Sequence, residues 1–242
     1  MEITSLTNAK VKEWNKLHQK KYRDEQQLYL VEGKHLIDEA IKADALESLI
    51  VTQESLPTFT FKNTYIVTES IMKKLSTQTS IASCMGVCRK PVSLFAPKQR
   101  VLLLDDIQDP GNMGTLIRSA YSFGYEAVAA SKNSVDFYNE KTIQATQGAC
   151  FHIALSNMDL LETIVQLKME GFMVYALSLH DALPLTSFAK PEKLAILVGN
   201  EANGIHENLI EACSASIKIE MTHFESLNAA VAGSIGMHYF QI

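Results

Sequence analysis

Hydrophobic residues in this chain come in short solid bursts separated by longer amphipathic stretches, an alternation that predicts an α/β protein. Val101–Leu104, Ala127–Ala130 and Leu194–Val198 are apolar throughout and have the length of buried strands. His152–Leu155, Phe172–Leu177 and the shorter Ile217–Ile219 read the same way. Between them apolar positions recur every three or four residues. Leu116, Ile117, Ala120 and Tyr121 stripe an expected helix from Asn112 to Phe123, closed by Gly124. Further helices are expected over 139–147, 160–170 and 205–211, and a last one from about Ser226. Strands separated by helices of this length predict a mostly parallel sheet. The last helix is rich in Ala and Gly, which implies the close approach of a loop, a ligand or a second subunit.

The N-terminal part alternates on a smaller scale. Strands are expected at 28–33, 46–51, 65–67 and 85–89, with helices at 34–42 and 69–75. Pro91 to Arg100 holds two prolines and little periodicity. The expected division is a small α/β domain at 1–92, a linker at 93–100 and a larger domain at 101–242.

Composition narrows the class. A hydrophobic fraction of 47% supports a real core, and no apolar run reaches the ~18 residues that span a bilayer. The first residues lack the basic-then-apolar layout of a signal peptide. Four cysteines are too few for a disulfide scaffold, and Cys84 and Cys88 lack the second Cys/His pair of a zinc site, so no metal is expected. The chain reads as a soluble, reduced, cytoplasmic protein. Net charge is −5, which argues against coating nucleic acid wholesale. Its distribution is uneven: Lys10, Lys12, Lys16, Lys20, Lys21 and Arg23 cluster with Trp14, His18 and Tyr22 at helical spacing. This stretch fits an RNA-contacting helix, cations for phosphates and aromatics for bases. It equally fits an amphipathic helix that buries Val11, Trp14 and Leu17 and solvates its basic face.

Three motifs follow in order. Asp109-Pro110-Gly111-Asn112-Met113-Gly114 leads to Arg118; Gly199-Asn200-Glu201 ends a buried strand; Ser226-Leu227-Asn228 precedes the last helix. Together they resemble the motifs of the SpoU (TrmH-like) RNA 2′-O-ribose methyltransferases. The resemblance implies a knotted α/β domain, S-adenosylmethionine as methyl donor, a homodimer, and a small N-terminal domain that recognises RNA, ribosomal before transfer RNA. It implies catalytic roles for Asn112, Arg118, Glu201, Ser226 and Asn228. It places the donor against Leu177, Gly199, Asn200, Ile219, Met221 and Leu227. Arg118 is expected to orient ribose and phosphate, because a guanidinium accepts no proton.

Without the motifs each residue has a plainer reading. Arg118 is then a surface arginine paired with a nearby acid, Asn112 a helix N-cap and Glu201 a solvent-facing loop acid. Thr222-x-x-Glu225 is a capping box that would start the helix at Thr222 and enclose Ser226. The chain departs from the family at Glu220 and His223, where Pro and Gly are usual. The loop between Met221 and Ser226 is one residue short, and a family basic position is Gln144. His180 and His223 fall near the expected pocket as candidate proton shuttles. Two rival functions remain: an RNA-bound assembly factor that has lost the chemistry, motivated by the short loop, and a Rossmann-type enzyme acting on a small nucleotide. The basic N-terminal stretch argues against the second.

Overall fold

The structure, a computed structural model, describes residues 1–55, 61–78, 82–92, 95–179, 181–223 and 226–241. It divides into two units, Met1–Val92 with Tyr138–Phe151, and Ser93–Phe137 with His152–Ile242.

The first unit contains β1 (Glu2–Ile3), α1 (Ala9–Lys16), α2 (Lys20–Gln26), β2 (Leu28–Glu32), α3 (Lys34–Lys42), β3 (Leu46–Val51), β4 (Thr64–Val67), α4 (Glu69–Leu75) and β5 (Cys84–Arg89). Its sheet runs β1-β4-β3-β5-β2, with β4 parallel to both neighbours and β5 antiparallel to both of its own. Val11, Trp14 and Leu17 pack with Ile50, Ile71, Met72 and Met85 in the core. Trp14 meets Tyr65 edge-on at 5.2 Å between ring centres.

The basic N-terminal stretch is therefore two helices, and its residues divide differently from expectation. Arg23 is buried; Nη1 donates to Leu17 O at 2.7 Å and His18 O at 2.9 Å. These carbonyls lie where α1 ends and its helical partners run out. Arg23 is thus a structural cap and leaves the proposed RNA face. Trp14 is a core residue and offers no ring to a base. Lys10, Lys12, Lys16, Lys20 and Lys21 stay exposed. Lys16 lies over the Tyr22 ring at 5.2 Å.

Tyr138–Phe151 lies within the span expected for the larger domain, yet packs in the first unit. Tyr29 lies against Tyr138 and Phe151, at 4.8 and 6.2 Å between ring centres. His18 Nδ1 and Glu140 Oε1 are 2.7 Å apart. Gln144 Nε2 donates to Glu32 O at 2.9 Å, so this amide is tied to β2.

The second unit is built around β6 (Arg100–Leu104), α5 (Pro110–Ser122), β7 (Ala127–Ala130) and β8 (Ala154–Asn157), while α6 (Glu140–Thr146) lies within Tyr138–Phe151 and belongs to the first unit. It continues through α7 (Leu160–Met169), β9 (Met173–Leu177), β10 (Leu183–Pro184), β11 (Leu194–Val198), α8 (Glu207–Ala212), β12 (Ala215–Lys218) and α9 (Ala229–Tyr239). The sheet order is β10-β12-β9-β11-β6-β7-β8, parallel at every pairing. Arg100, expected in the linker, opens β6 and is buried, its Nε donating to Phe240 O at 3.0 Å.

Leu160, Ile164 and Leu167 of α7 pack on Val101, Leu103, Val174 and Leu197 of the sheet. Helices α5 and α9 lie together, joined by Ser119 Oγ and Ser234 Oγ at 2.8 Å. A methyl group on Gly233 would strike Leu116 of α5 and press on Val198 of β11. The small residue at this point of α9 answers a close approach within the chain itself. Helix α9 starts at Ala229 with Asn228 as N-cap, accepting from Ala230 N at 2.9 Å and Val231 N at 3.2 Å. Ser226 and Thr222 therefore precede the helix, and Glu225 lies outside the described residues.

Candidate active site

The carboxyl ends of β9, β11 and β12 come together at one edge of the second unit's sheet, where parallel α/β sheets bind ligands. Gly199 follows β11 directly. A side chain there would collide with the backbone of Gly204, so only glycine permits the turn. Asn200 and Gly204 exchange backbone hydrogen bonds of 2.8 and 3.0 Å. The Asn200 side chain completes the loop: Oδ1 accepts from Ala202 N at 2.9 Å and Asn203 N at 3.0 Å, and Nδ2 donates to Asp106 O at 2.7 Å. Its amide is committed to shaping the loop.

A cavity of about 360 Å³ opens beside this turn. Leu177, Gly199, Asn200, Ile219, Met221 and Leu227 all line it, as do Glu201 and Ser226. Ala229 and Ala232 of α9 form part of its wall, and their small side chains leave it room.

A hydrogen-bond chain joins the three motif segments. Asn228 Nδ2 donates to Asn112 Oδ1 at 3.0 Å, and Asn112 Nδ2 donates to Glu201 Oε1 at 2.8 Å. The Glu201 carboxylate also accepts from the backbone of Gln108 and Asp109, both at 3.4 Å. Asn112 is not the N-cap of α5. Asp109 is, with Pro110 at the first helical position and Asp109 Oδ1 accepting from Asn112 N at 2.7 Å. The Asn112 side chain is thereby free to link the two loops.

Arg118 stands apart. It lies six residues further along α5, about 9 Å along the axis, is exposed, and does not line the cavity. Its guanidinium has no partner among the described residues. His223 is exposed and also off the cavity wall, and His180 lies outside the described residues.

One pair beside the site had no motif to announce it. Buried Asp105, at the end of the β6 run, accepts from His206 N at 2.9 Å and His206 Nδ1 at 2.8 Å. The hydrogen bond and charge of Asp105 raise the His206 pKa above its ordinary value. The adjacent Asp106 accepts from Ser131 Oγ at 2.5 Å. Asp105, Asp106 and His206 place potential ligand atoms within 4.8 Å of one another, but these hydrogen bonds already engage both carboxylates.

The segment that builds this site, residues 99–238, matches the SpoU rRNA methylase family, and residues 8–86 match the MRM3-like substrate binding domain. The chain belongs to the SpoU rRNA methylase family. Among its SpoU relatives, it is 34% identical to the 23S rRNA (guanosine(2553)-2′-O)-methyltransferase RlmP of Bacillus subtilis (strain 168), over 99% of each chain. An AdoMet-bound rRNA methyltransferase from Sinorhizobium meliloti superposes with a TM-score of 0.85 at 26% identity, covering 98% of this chain and 95% of that one. The SpoU methyltransferase AviRb from Streptomyces viridochromogenes, at 20% identity, shares the fold with a TM-score of 0.86, covering 96% of each chain. The SpoU match spans all the cavity-lining residues named above.

Proposed function

We propose that this chain transfers a methyl group from S-adenosylmethionine to a ribose 2′-hydroxyl of ribosomal RNA. The supporting observation is the convergence of Asn112, Glu201 and Asn228 in one hydrogen-bond chain that reaches the cavity wall at Glu201. The cavity suits the donor. Its volume of about 360 Å³ lies in the small-molecule range, and Val198, Ile205, Ile219 and Leu227 offer apolar surface to an adenosine. Leu177, Gly199, Asn200, Ile219, Met221 and Leu227 would hold it. When bound, S-adenosylmethionine supplies an activated methyl group.

The chain's own residues supply orientation, which carries most of such a reaction. Glu201 and Asn112 fix the mouth of the site, and Ser226 with Asn228 fixes the entry to α9. Arg118 orients the ribose and its phosphate. Because Arg118 is remote from the cavity of its own chain, we assign it to the cavity of a second copy in a homodimer. The outward face of α5 and α9, with Tyr121, Val231 and Ile235 exposed, is the proposed contact. The first unit is the RNA-recognition domain, with Lys10, Lys12, Lys16, Lys20 and Lys21 as its phosphate contacts. The remaining catalytic domain comprises the second unit. None of the described helices is long and apolar enough to cross a membrane. The assigned substrate fits a cytoplasmic enzyme.

The test is incubation with labelled S-adenosylmethionine and total RNA from cells lacking this protein, followed by mapping of the label. Methylation of one ribose 2′-oxygen in ribosomal RNA is expected. RNA binding without methyl transfer would instead identify an assembly factor on the same fold.

A further inference from the structure

We propose that Lys218 holds the carboxylate at the amino-acid end of the methyl donor. The inference rests on the assignment of the cavity to S-adenosylmethionine. Lys218 is the last residue of β12 and borders that cavity. It is partly buried, and its ammonium has no partner among the described residues. Of the described residues lining the cavity, Lys218 is the one cation and Glu201 the one anion. Their strands, β12 and β11, are separated in the sheet by β9, so the charges mark different sides of the cavity.

The donor carries a carboxylate, an ammonium and a sulfonium. A carboxylate loses hydration when it enters a partly apolar cavity and requires a counter-charge or hydrogen-bond donors. Glu201 repels it, whereas Lys218 is cationic and has no partner among the described residues. Ile210 and Ile219 line the same cavity and supply no competing charge. A lysine suits this task because its ammonium meets a carboxylate as a point charge on a flexible stem. The two charges together orient the donor, with its carboxylate toward Lys218 and its cationic sulfonium toward Glu201 and the catalytic mouth.

Calorimetry on the full chain tests this with two nucleosides. S-adenosylhomocysteine has the carboxylate; its decarboxylated analogue, 5′-S-(3-aminopropyl)-5′-thioadenosine, keeps the ammonium and lacks it. Lys218→Met should weaken S-adenosylhomocysteine by roughly tenfold, the size of a charge-assisted hydrogen bond. It should not weaken the analogue, whose remaining ammonium gains nothing from a lysine, and retained analogue binding also demonstrates that the variant is folded. Lys218→Arg should retain most of the affinity. Equal weakening of both nucleosides, or no weakening of S-adenosylhomocysteine, overturns the inference. Failure of the unmodified chain to bind either nucleoside overturns the cavity assignment as well.

Discussion

Asn112 Nδ2 donates to Glu201 Oε1 across 2.8 Å, tying the first turn of α5 to the loop that leaves β11. The same carboxylate faces two backbone amides, so it is the point where the loops before α5 and after β11 meet. Glu201→Ala removes the acceptor and frees Asn112 to rotate. The expected loss in single-turnover methylation is about tenfold or more, corresponding to about 1.4 kcal/mol of transition-state positioning. Glu201→Gln retains an acceptor for Asn112 but turns a donor toward the backbone amides. Its rate should fall between the other two.

Asn228 combines two roles that one substitution can separate. Its Oδ1 caps α9, while its Nδ2 reaches Asn112. Asn228→Ala loses both, and chemical denaturation should show a destabilisation of about 1 kcal/mol from the missing cap. Asn228→Asp still caps the helix but has no proton to donate to Asn112. It should keep near-normal stability while losing methylation. Equal activity in Asn228→Asp and the unmodified chain would remove the Asn228–Asn112 link from the mechanism.

The residue patterns that were easiest to read are those with short-range causes. Leu194–Val198 is buried at every position, and its apolar run announces a strand covered on both faces. Gly199 was visible as the strand's end, but the reason for glycine lies in the Gly204 backbone, which only the folded loop brings near. The basic N-terminal stretch breaks into α1 and α2 although its helical periodicity continues through Leu17–Gln19. The break is held by buried hydrogen bonds from Arg23, a tertiary use of a residue type that reads as surface. Tyr138–Phe151 joins the first unit through rings and amides distant in sequence, which no local pattern encodes. The Asp105–His206 pair was hidden for the same reason.

Arg23 and the neighbouring lysines should consequently respond differently to mutation. Arg23→Gln leaves the Leu17 and His18 carbonyls without their buried charged donor. A loss of about 1.5–3 kcal/mol is expected in denaturant unfolding. Lys12→Gln and Lys16→Gln remove exposed charges and should change stability by less than about 0.5 kcal/mol. Their effect should appear in RNA affinity instead, as a weaker dependence of binding on salt concentration.

His206 gives the fold a pH signature. Its pKa is raised in the folded chain by the hydrogen bond and charge of Asp105. The stability it contributes is fully present below its unfolded pKa, about 6.5, and is lost as pH rises through the raised folded value. The difference in melting temperature between the unmodified chain and His206→Gln should therefore be largest in mildly acidic buffer and shrink in alkaline buffer. A difference that grows with pH would contradict this assignment.

Arg118 offers the decisive test of how the site is completed, because it is exposed on α5 and absent from the cavity wall of its own chain. Arg118→Ala should abolish methylation while S-adenosylhomocysteine binding stays within about threefold, less than 1 kcal/mol. If the arginine serves a second copy, two impaired variants should complement each other. A dimer of one Arg118→Ala chain and one Glu201→Ala chain contains one cavity with an intact glutamate facing an intact arginine, and one cavity lacking both. Random exchange makes about half of the dimers mixed, so activity should recover to about a quarter of normal under two-fold symmetry. Recovery requires subunit exchange, which native mass spectrometry of the mixture verifies. Mixed dimers with no recovered activity would place Arg118 outside the partner's site.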